Sequence, residues 1–311
     1  MRKKLISIVT PCFNEQLNVE KLYLEVSTIM NSMPYSYEYI FIDNCSTDTT
    51  VNIIKKLAKK DKNLKLIINA RNFGHIRSPQ HAIYQSTGDA CILLHADLQD
   101  PPSLLKEFIT QWEAGAKIVL GQKVDSEENK LMFHLRKKYY SLMNKISETQ
   151  IIENCTGFGL MDREVVNIMR KMNDPNPYLR GLLVEIGFPI TLVPYKQRLR
   201  YGGRTKLSIF ILYDYIMLGI TQHSKVPLRI ITIFGFMISF LSLLIALFFL
   251  VAKIIFWDTF IAGGAPMLIG IFFFGSLQAF FIGVLGEYIG SINTRVRKMP
   301  LVVESERINF K

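Results

Sequence analysis

The chain has 311 residues, of which 49% are apolar, and it carries a formal net charge of +11. This length suffices for one large domain with an appendage, and the mean hydropathy of +0.20 is high for a purely soluble protein. The positive charge is compatible with nucleic acid, but no basic repeat interleaved with aromatic residues is present, so anionic lipid headgroups and anionic substrates are the favoured partners.

The first two thirds of the chain alternates short apolar runs with helical patterns. Although MRKKLISIVT begins like a signal peptide, its apolar run of about five residues is too short for one and predicts a first strand. The predicted strands are 5–11, 37–43, 64–69, 91–96, 117–122, 158–162 and 189–195. This alternation is typical of a parallel, doubly wound α/β sheet.

Polar clusters follow four of these strands, at residues 11–15, 43–48, 71–75 and 95–99. In doubly wound sheets, ligands bind at the carboxyl ends of the strands. The four clusters are therefore expected to meet in one crevice.

The segment 206–226 is mostly apolar but is interrupted by Asp214, Gln222 and His223. This pattern predicts an amphipathic helix lying in the membrane interface. A helix packed against the domain stays open as the alternative.

Two uncharged runs follow, at 230–252 and 259–286, and each exceeds the ~20 residues that cross ~30 Å of hydrocarbon. They predict transmembrane helices at about 230–252 and 262–286, with two buried core helices as the alternative. The short connection contains Trp257, a typical interfacial anchor, which favours a hairpin.

Basic residues flank the two predicted spans: Lys225 and Arg229 precede them, and Arg295, Arg297 and Lys298 follow them. Because basic residues are retained in the cytoplasm, both termini and the tail at 291–311 are expected there. The cysteines at positions 12, 45, 91 and 155 show no CxxC spacing, which favours reduced thiols over a disulfide frame or a zinc site.

Seven short motifs occur in a characteristic order ahead of the two apolar runs. They are TPCFNE (10–15), FIDNCSTD (41–48), RNFG (71–74), DLQDPP (97–102), TGFGLMDR (156–163), YLRGL (178–182) and RYGGRTK (200–206). Over nearly its whole length, the chain resembles family 2 glycosyltransferases, and most of all the membrane-anchored polyprenyl-phosphate glycosyltransferases. The resemblance implies a GT-A type catalytic domain at 1–205, Rossmann-like with a mostly parallel sheet.

The resemblance implies roles for the first three motifs. Pro11, Phe13, Glu15 and Asp43 are expected to hold the nucleotide base, for which carboxylates are apt acceptors of N–H groups. Arg71 is expected near the diphosphate.

The family's Asp-x-Asp-x-Gln motif binds a divalent cation, Mg²⁺ or Mn²⁺, that bridges the donor diphosphate. Asp97 and Gln99 match this motif, but His95 stands at the first acidic position. Three interpretations stay open: His95 does not ligate, it ligates and favours Mn²⁺ because imidazole suits softer ions, or the enzyme is degenerate.

Asp162 matches the family's acid near the acceptor, usually described as the catalytic base. The second pKa of a phosphate monoester is ~6, so a lipid phosphate is already a competent nucleophile without a base. Asp162 is expected to be a catalytic residue together with Asp97. Three roles stay open for it: the base, a group that orients a basic residue or the sugar hydroxyls, and a cap on the helix that starts near Arg163.

Cations are needed where a dianionic acceptor meets an anionic donor. Arg180, Arg200, Arg204 and Lys206 are the candidates, and guanidinium groups bind phosphate in a bidentate manner. Arg200 and Lys206 match the family pattern, whereas Arg204 does not.

The implied activity is inverting transfer of one sugar from a nucleotide-sugar, UDP-linked by resemblance, to polyprenyl phosphate at the cytoplasmic face of the inner membrane. A homo-oligomer through the spans and a flippase are compatible partners. One alternative is a catalytically degenerate scaffold that binds the lipid carrier. The other is a processive polysaccharide synthase, which is disfavoured because neither Trp112 nor Trp257 lies in a Gln-x-x-Arg-Trp segment.

Overall fold

The computed structural model describes residues 3–125, 152, 154–198, 217, 224, 226–255, 264–297 and 299–310. The strands in these residues are β1 (Leu5–Cys12), β2 (Ser36–Asp43), β3 (Leu64–Asn69), β4 (Ala90–Leu93), β5 (Ile118–Asp125), β6 (Cys155–Asp162), β7 (Ile190–Lys196) and β8 (Glu304–Ile308). The helices are α1 (Val19–Asn31), α2 (Thr50–Lys60), α3 (Gly74–Gln85), α4 (Leu104–Glu113), α5 (Arg163–Met172), α6 (Leu179–Glu185), α7 (Val226–Ile255) and α8 (Gly264–Val296). All seven predicted strands are confirmed, and none of their ends is displaced by more than three residues.

The strands form one sheet in the order β7-β5-β6-β4-β1-β2-β3-β8. Strand β1 pairs in parallel with β2 and β4, β2 pairs in parallel with β3, and β5 with β7. Strand β6 runs antiparallel to β4 and β5, and β8 runs antiparallel to β3. The predicted α/β sheet is therefore mostly parallel, but it is mixed because two strands reverse direction.

The central strands are buried on both faces. Ile6 and Ile8 of β1 belong to one apolar cluster with Phe41, whereas Val9 packs in a second cluster with Ile42. Successive side chains of a strand point to opposite faces, so the two clusters form the two sides of the core. Helices covering both faces supply the remaining apolar contacts.

All four cysteines are unpaired, as the sequence predicts, and Cys12, Cys91 and Cys155 are buried. Burial raises the pKa of Cys91 to about 12 and the pKa of Cys155 to about 11. These thiols are consequently protonated and unreactive at neutral pH.

Helices α7 and α8 expose large apolar side chains such as Phe236 and Met267. Within the described residues, the stretch Phe273–Thr294 is long and apolar enough to cross a membrane, and Val226–Ser242 is a shorter apolar stretch. The predicted pair of spans stays a prediction. The α8 helix continues past the predicted end of the second span to Val296.

The start of α7 and the end of α8 lie side by side. The Tyr288 hydroxyl of α8 donates a hydrogen bond to the backbone oxygen of Ser224 at 2.9 Å. The predicted interfacial segment at 206–226 otherwise lies almost entirely outside the described residues, as does Trp257.

The segment at 291–311, predicted only as a tail, contributes the end of α8 and the edge strand β8. The Asn309 side-chain amide donates to the backbone oxygens of Ala58 and Leu64, each at 2.8 Å. On α3, Arg77 donates to the Pro300 oxygen and His81 contacts the Glu304 carboxylate, both at 2.5 Å. The chain leaving α8 is thus fastened to the domain, and it covers the open edge of β3.

We predict that Asn309 holds the end of β8 through both its side chain and its backbone. Asn309 has a left-handed backbone with φ of 59°, so Asn309→Gly loses only the hydrogen bonds, at a cost of about 1–2 kcal/mol. Asn309→Ala also incurs the left-handed penalty of roughly 1–2 kcal/mol. Urea unfolding should rank stability as wild type, then the glycine variant, then the alanine variant. Equal stability of all three would contradict this role.

Candidate functional site

The carboxyl ends of four parallel strands lie next to one another. Cys12 at the end of β1 pairs with Asp43 of β2, and Asp43 pairs with Ile68 of β3. On the other side, Val9 pairs with Leu93, the last residue of β4. The four predicted polar clusters therefore follow neighbouring strand ends and share one edge of the sheet, called here the carboxyl edge. The strand order reverses at β1, which is where such sheets open a ligand crevice.

The loop after β1 is fastened to the loop after β2. Asn14, whose φ of 55° is left-handed, donates its backbone N–H to the Ser46 hydroxyl at 2.8 Å. Its side-chain oxygen accepts the backbone N–H of Thr47 at 2.8 Å. The backbone N–H of Glu15 donates to the Thr50 hydroxyl at 2.9 Å. The two predicted base-binding loops consequently form one unit.

The predicted base-binding residues of the first loop lie at the carboxyl edge. Pro11, Phe13 and Glu15 are all half-buried. The Glu15 carboxylate accepts a hydrogen bond from the Asn18 side-chain amide at 2.6 Å. Asn18 is the residue immediately before α1, so this hydrogen bond orients the Glu15 carboxylate.

Asp43 is fully buried and supports the second loop. Its carboxylate accepts the backbone N–H of Ser46 at 2.8 Å and the Ser46 hydroxyl at 2.5 Å. Burial raises the pKa of Asp43, although the hydrogen bonds from Ser46 oppose that shift. In this structure Asp43 holds the turn, and its base-binding role stays a prediction.

Three asparagines shape the loop after β3, and the sequence motifs do not predict them. The Asn44 side-chain oxygen accepts the amide of Asn69 at 3.1 Å and the backbone N–H of Phe73 at 2.8 Å. The Asn44 amide donates to the Asn72 side-chain oxygen at 2.9 Å. This network presents Arg71, which is exposed and stacks 4.1 Å from the centre of the Phe73 ring. A guanidinium held there is placed to meet an anion.

Arg180 lies close to the same edge. Its guanidinium donates to the Cys155 backbone oxygen at 3.1 Å. Partial desolvation, together with the charge of Arg180, lowers the pKa of His75. The charge of Arg180 therefore acts on the first turn of α3. Arg200, Arg204 and Lys206 lie outside the described residues.

The loop after β4 turns sharply at Leu98, whose φ is 58°. The Asp97 carboxylate accepts the Gln99 backbone N–H at 3.2 Å, and the Gln99 backbone oxygen accepts the N–H of Arg198 at 3.0 Å. A left-handed leucine is uncommon and is retained only where its surroundings fix it. These contacts hold Asp97 and Gln99 in one turn.

His95 is oriented by a buried carboxylate. Its Nδ1 lies 2.6 Å from Oδ2 of Asp100, and the Tyr195 hydroxyl donates to Oδ1 of Asp100 at 2.5 Å. Burial raises the pKa of Asp100, but the hydrogen bonds from His95 and Tyr195 and nearby positive charge outweigh it and leave that pKa below its usual value. Burial likewise opposes protonation of His95, but Asp100 and Asp97 raise its pKa above the ordinary value.

The arrangement fits a divalent cation that the protein binds only in part. Among the described residues, no group of three or more His, Cys, Asp or Glu side chains could hold a metal alone. Asp97 and Gln99 share one turn, and Asp100 occupies Nδ1 of His95, which leaves Nε2 open. Diphosphate oxygens and water are then needed to complete the coordination shell.

Asp162 lies at the opposite edge of the sheet. Because β6 is antiparallel to β4, Asp162 pairs with Ala90, the first residue of β4. The loop at 95–99 follows Leu93, which is ~10 Å further along the strand at ~3.3 Å per residue. The structure therefore places Asp162 away from the carboxyl edge, and its role as a catalytic residue stays a prediction.

The Asp162 carboxylate caps a helix, the alternative that the sequence left open. It accepts the backbone N–H of Glu164 in the first turn of α5 at 2.9 Å. It also accepts the Trp112 indole N–H at 2.8 Å and the Lys117 ammonium at 3.2 Å. Burial raises the pKa of Asp162, but these donors outweigh it and leave the pKa below its usual value.

Besides the three asparagines, three further residues near the carboxyl edge were not predicted from the sequence: Asp100, Lys123 and Tyr195. Asp100 lies within the DLQDPP motif and Tyr195 ends a predicted strand, but the sequence alone does not show that these two side chains interact. Lys123, at the end of β5, acts electrostatically on His95 and Asp100. Only the tertiary structure shows that Asp100 contacts both His95 and Tyr195.

Comparisons with known proteins extend over most of the chain. Residues 7–168 match the family model described as Glycosyl transferase family 2. A protein of Shigella phage SfX named bactoprenol glucosyl transferase is 35% identical over 95% of this chain and 97% of its own length. A prophage bactoprenol glucosyl transferase homolog of Escherichia coli (strain K12) is 34% identical over 95% of this chain and 96% of its own.

Solved structures show the same fold at low identity. Glucosyl-3-phosphoglycerate synthase from Mycobacterium tuberculosis, in complex with Mn²⁺, uridine diphosphate and phosphoglyceric acid, has a TM-score of 0.50 and 17% identity. The alignment covers 70% of this chain and 76% of that one. This likeness concerns the fold alone, and it supports a GT-A-like domain.

We predict that Asp162→Asn keeps most of the stability and the sugar-transfer activity, because asparagine caps helices nearly as well as aspartate. Asp162→Ala should lose about 1–2 kcal/mol of unfolding free energy. The folded pKa lies below the ~3.9 of an unfolded aspartate, so the carboxylate stabilises above that pH and the benefit is lost as pH falls through the folded value. Urea unfolding across pH 3–7 and a transfer assay check both points. Equal loss of activity in both variants, with normal folding, would restore the base role.

Proposed function

Since this chain belongs to glycosyl transferase family 2, we propose that it transfers one sugar from a nucleotide-sugar to polyprenyl phosphate at the cytoplasmic face of the membrane. The support is the full-length likeness to proteins named bactoprenol glucosyl transferase. One structural observation carries the proposal. The sheet that has the polar carboxyl edge is joined to the apolar helix α8, because β8, which follows α8, pairs with β3.

The chemistry follows from the charges of the two substrates. An oxygen of the acceptor phosphate attacks the anomeric carbon while the bond from that carbon to the nucleotide diphosphate breaks, and the configuration inverts. The second pKa of a phosphate monoester is ~6, so the acceptor is largely dianionic and needs no general base. The placement of Asp162 away from the carboxyl edge agrees with such a mechanism.

Positive groups must offset the charge of two anionic substrates. Arg71 lies in the loop before α3, and the charge of Arg180 acts on His75 of α3; we assign them to the donor diphosphate and the acceptor phosphate, respectively. Arg200, Arg204 and Lys206 are proposed to extend the acceptor site. A divalent cation held by Asp97, Gln99 and His95 would neutralise the leaving diphosphate. A UDP-linked donor is favoured by the family resemblance, and Pro11, Phe13, Glu15 and Asp43 are proposed to bind its base.

The sheet constrains the membrane arrangement. Strands β7 and β8 belong to one sheet, which supports an even number of crossings by the chain between them. Because α8 contains a stretch able to cross, we propose two crossings by α7 and α8. The interfacial helix, a homo-oligomer and a flippase partner stay predictions.

A lipid-carrier binder without transfer activity is the second candidate. The observation that favours it is His95, an imidazole where the family has a carboxylate. The retained Asp97 and Gln99, and the ordered turn that contains them, favour the enzyme.

The transfer reaction is tested with the purified full chain, short-chain polyprenyl phosphate and a panel of radiolabelled nucleotide-sugars. Lipid-linked sugar should form with Mg²⁺ or Mn²⁺ and disappear with chelator. Asp97→Ala should lower the rate at least ~100-fold, because a cation supplies several kcal/mol of charge stabilisation. Glu113→Gln, which changes an exposed carboxylate at the opposite edge, is the matched control. No product with any donor, alongside retained polyprenyl phosphate binding, would favour the second candidate.

The membrane arrangement is tested by labelling with an impermeant maleimide in intact cells. A cysteine at Thr259→Cys should be labelled from outside, because two crossings place the connection there. A cysteine at Val303→Cys, an exposed position next to β8, should be labelled only after permeabilisation. Identical behaviour of both variants would mean that α7 and α8 do not cross. The wild-type chain controls for its native cysteines.

A further inference from the structure

The hydrogen bonds of Asp100 form a chain that links two distant parts of the sequence. Asp100 is 3% exposed, and its two oxygens are occupied by Nδ1 of His95 and the hydroxyl of Tyr195, at 2.6 and 2.5 Å. Tyr195 belongs to β7, whereas His95 and Asp100 lie in the loop after β4. A buried carboxylate with both oxygens paired is a rigid acceptor.

The protonation pattern of this chain follows from the donor inventory. An ionised carboxylate has only acceptor atoms, so Nδ1 of His95 must carry the proton it shares with Asp100. In the neutral imidazole, Nε2 then carries the lone pair, which is the form that binds metals. Carboxylates commonly orient metal-binding histidines through the other ring nitrogen in this way.

Tyr195 is held firmly enough to fix this geometry. Its ring packs edge-on against Phe158 with the ring centres 5.6 Å apart, and Phe158 in turn packs on Phe108. Gly121 on neighbouring β5 leaves room for the ring, since a Cβ there would lie 3.0 Å from it. Two residues beyond β7, Arg198 also ties its backbone to Gln99. The end of β7 therefore fixes the position of the loop after β4, although the two segments are far apart in the sequence.

We propose that Asp100 and Tyr195 are positioning residues that present Nε2 of His95 beside Asp97 as a cation ligand, so that the site selects Mn²⁺-like ions over Mg²⁺. Imidazole suits first-row transition metals, whereas Mg²⁺ prefers oxygen ligands. The inference rests on the proposed function for the presence of a donor diphosphate. The inference explains His95 as a change in metal preference and does not attribute a loss of activity to this residue.

The first test measures Mn²⁺ binding by electron paramagnetic resonance on the full chain with UDP present, and Mg²⁺ binding by competition. Asp100→Asn can donate from its amide to Nδ1 and so move the proton to Nε2. We expect it to weaken Mn²⁺ binding by about 10–100-fold, as loss of an outer-shell partner typically does. Its Mg²⁺ affinity should change by less than about threefold, because the oxygen ligands that Mg²⁺ prefers are untouched. Tyr195→Phe should weaken Mn²⁺ binding in the same direction by less, and His95→Asp should reverse the preference.

Glu38→Gln is the matched control, because Glu38 is a buried carboxylate bonded by Ser7 and Lys65 away from the carboxyl edge. It should cost stability without changing Mn²⁺ binding. Equal weakening of Mn²⁺ and Mg²⁺ in Asp100→Asn, or unchanged Mn²⁺ binding, would overturn the proposal. If Asp100→Asn does not fold, Tyr195→Phe alone decides by the same criteria.

A second test needs no metal and no substrate. The chain has five histidines, and ¹⁵N spectra at alkaline pH distinguish the two neutral imidazole forms. The His95 signals, identified by their loss in His95→Asp, should show the Nδ1–H form in wild type and the Nε2–H form in Asp100→Asn. The Nε2–H form in wild type would refute the proposal. Neither measurement requires sugar transfer, so failure of the transfer assay and failure of this inference are distinguishable.

Discussion

Parallel pairing of β1 with a strand on each side is the constraint on which the rest of the structure depends. Both faces of these strands are covered by apolar side chains, so groups that reach a ligand must come from residues beyond the strand ends. Parallel strands all end at the same edge, and the order of strands reverses at β1. Four loops that are separated along the chain are thereby brought together without any direct sequence signal between them.

Strand β8 is the second constraint, because it makes the last residues of the chain part of the domain. The Glu304 side chain of β8 contacts His81 of α3, and the backbone oxygen of Pro300, which precedes β8, accepts a hydrogen bond from Arg77 of α3. The apolar helix α8 therefore leads into an edge strand that pairs with β3, the strand that precedes the Arg71 loop. In the proposed function, a lipid acceptor and a soluble donor meet only if the crevice lies near the bilayer, and the connection of α8 to β8 is consistent with that requirement.

The proposed reaction brings two anions to the carboxyl edge and needs little proton transfer. Arg71 and Arg180 supply positive charge, and the loop after β4 supplies Asp97 and an imidazole that is held by Asp100. Asp162, the residue that a motif comparison singles out as a base, instead joins α5 to the indole of Trp112. The acceptor phosphate is already ionised and attacks without losing a proton. A structural role for Asp162 is therefore consistent with the proposed chemistry.

The sequence by itself determined the seven predicted strands, the apolar helices and the polar clusters, because each depends on periodicity or local composition that neighbouring residues carry. It also marked His95 as unusual. Only the tertiary structure decided that β6 runs antiparallel and so moves Asp162 to the far edge, since strand direction depends on pairing between distant segments. For the same reason, the partnership of Asp100 with Tyr195 and the return of β8 to the sheet could not be seen in the sequence. Contacts across long separations depend on which surfaces pack together, and no short pattern encodes them.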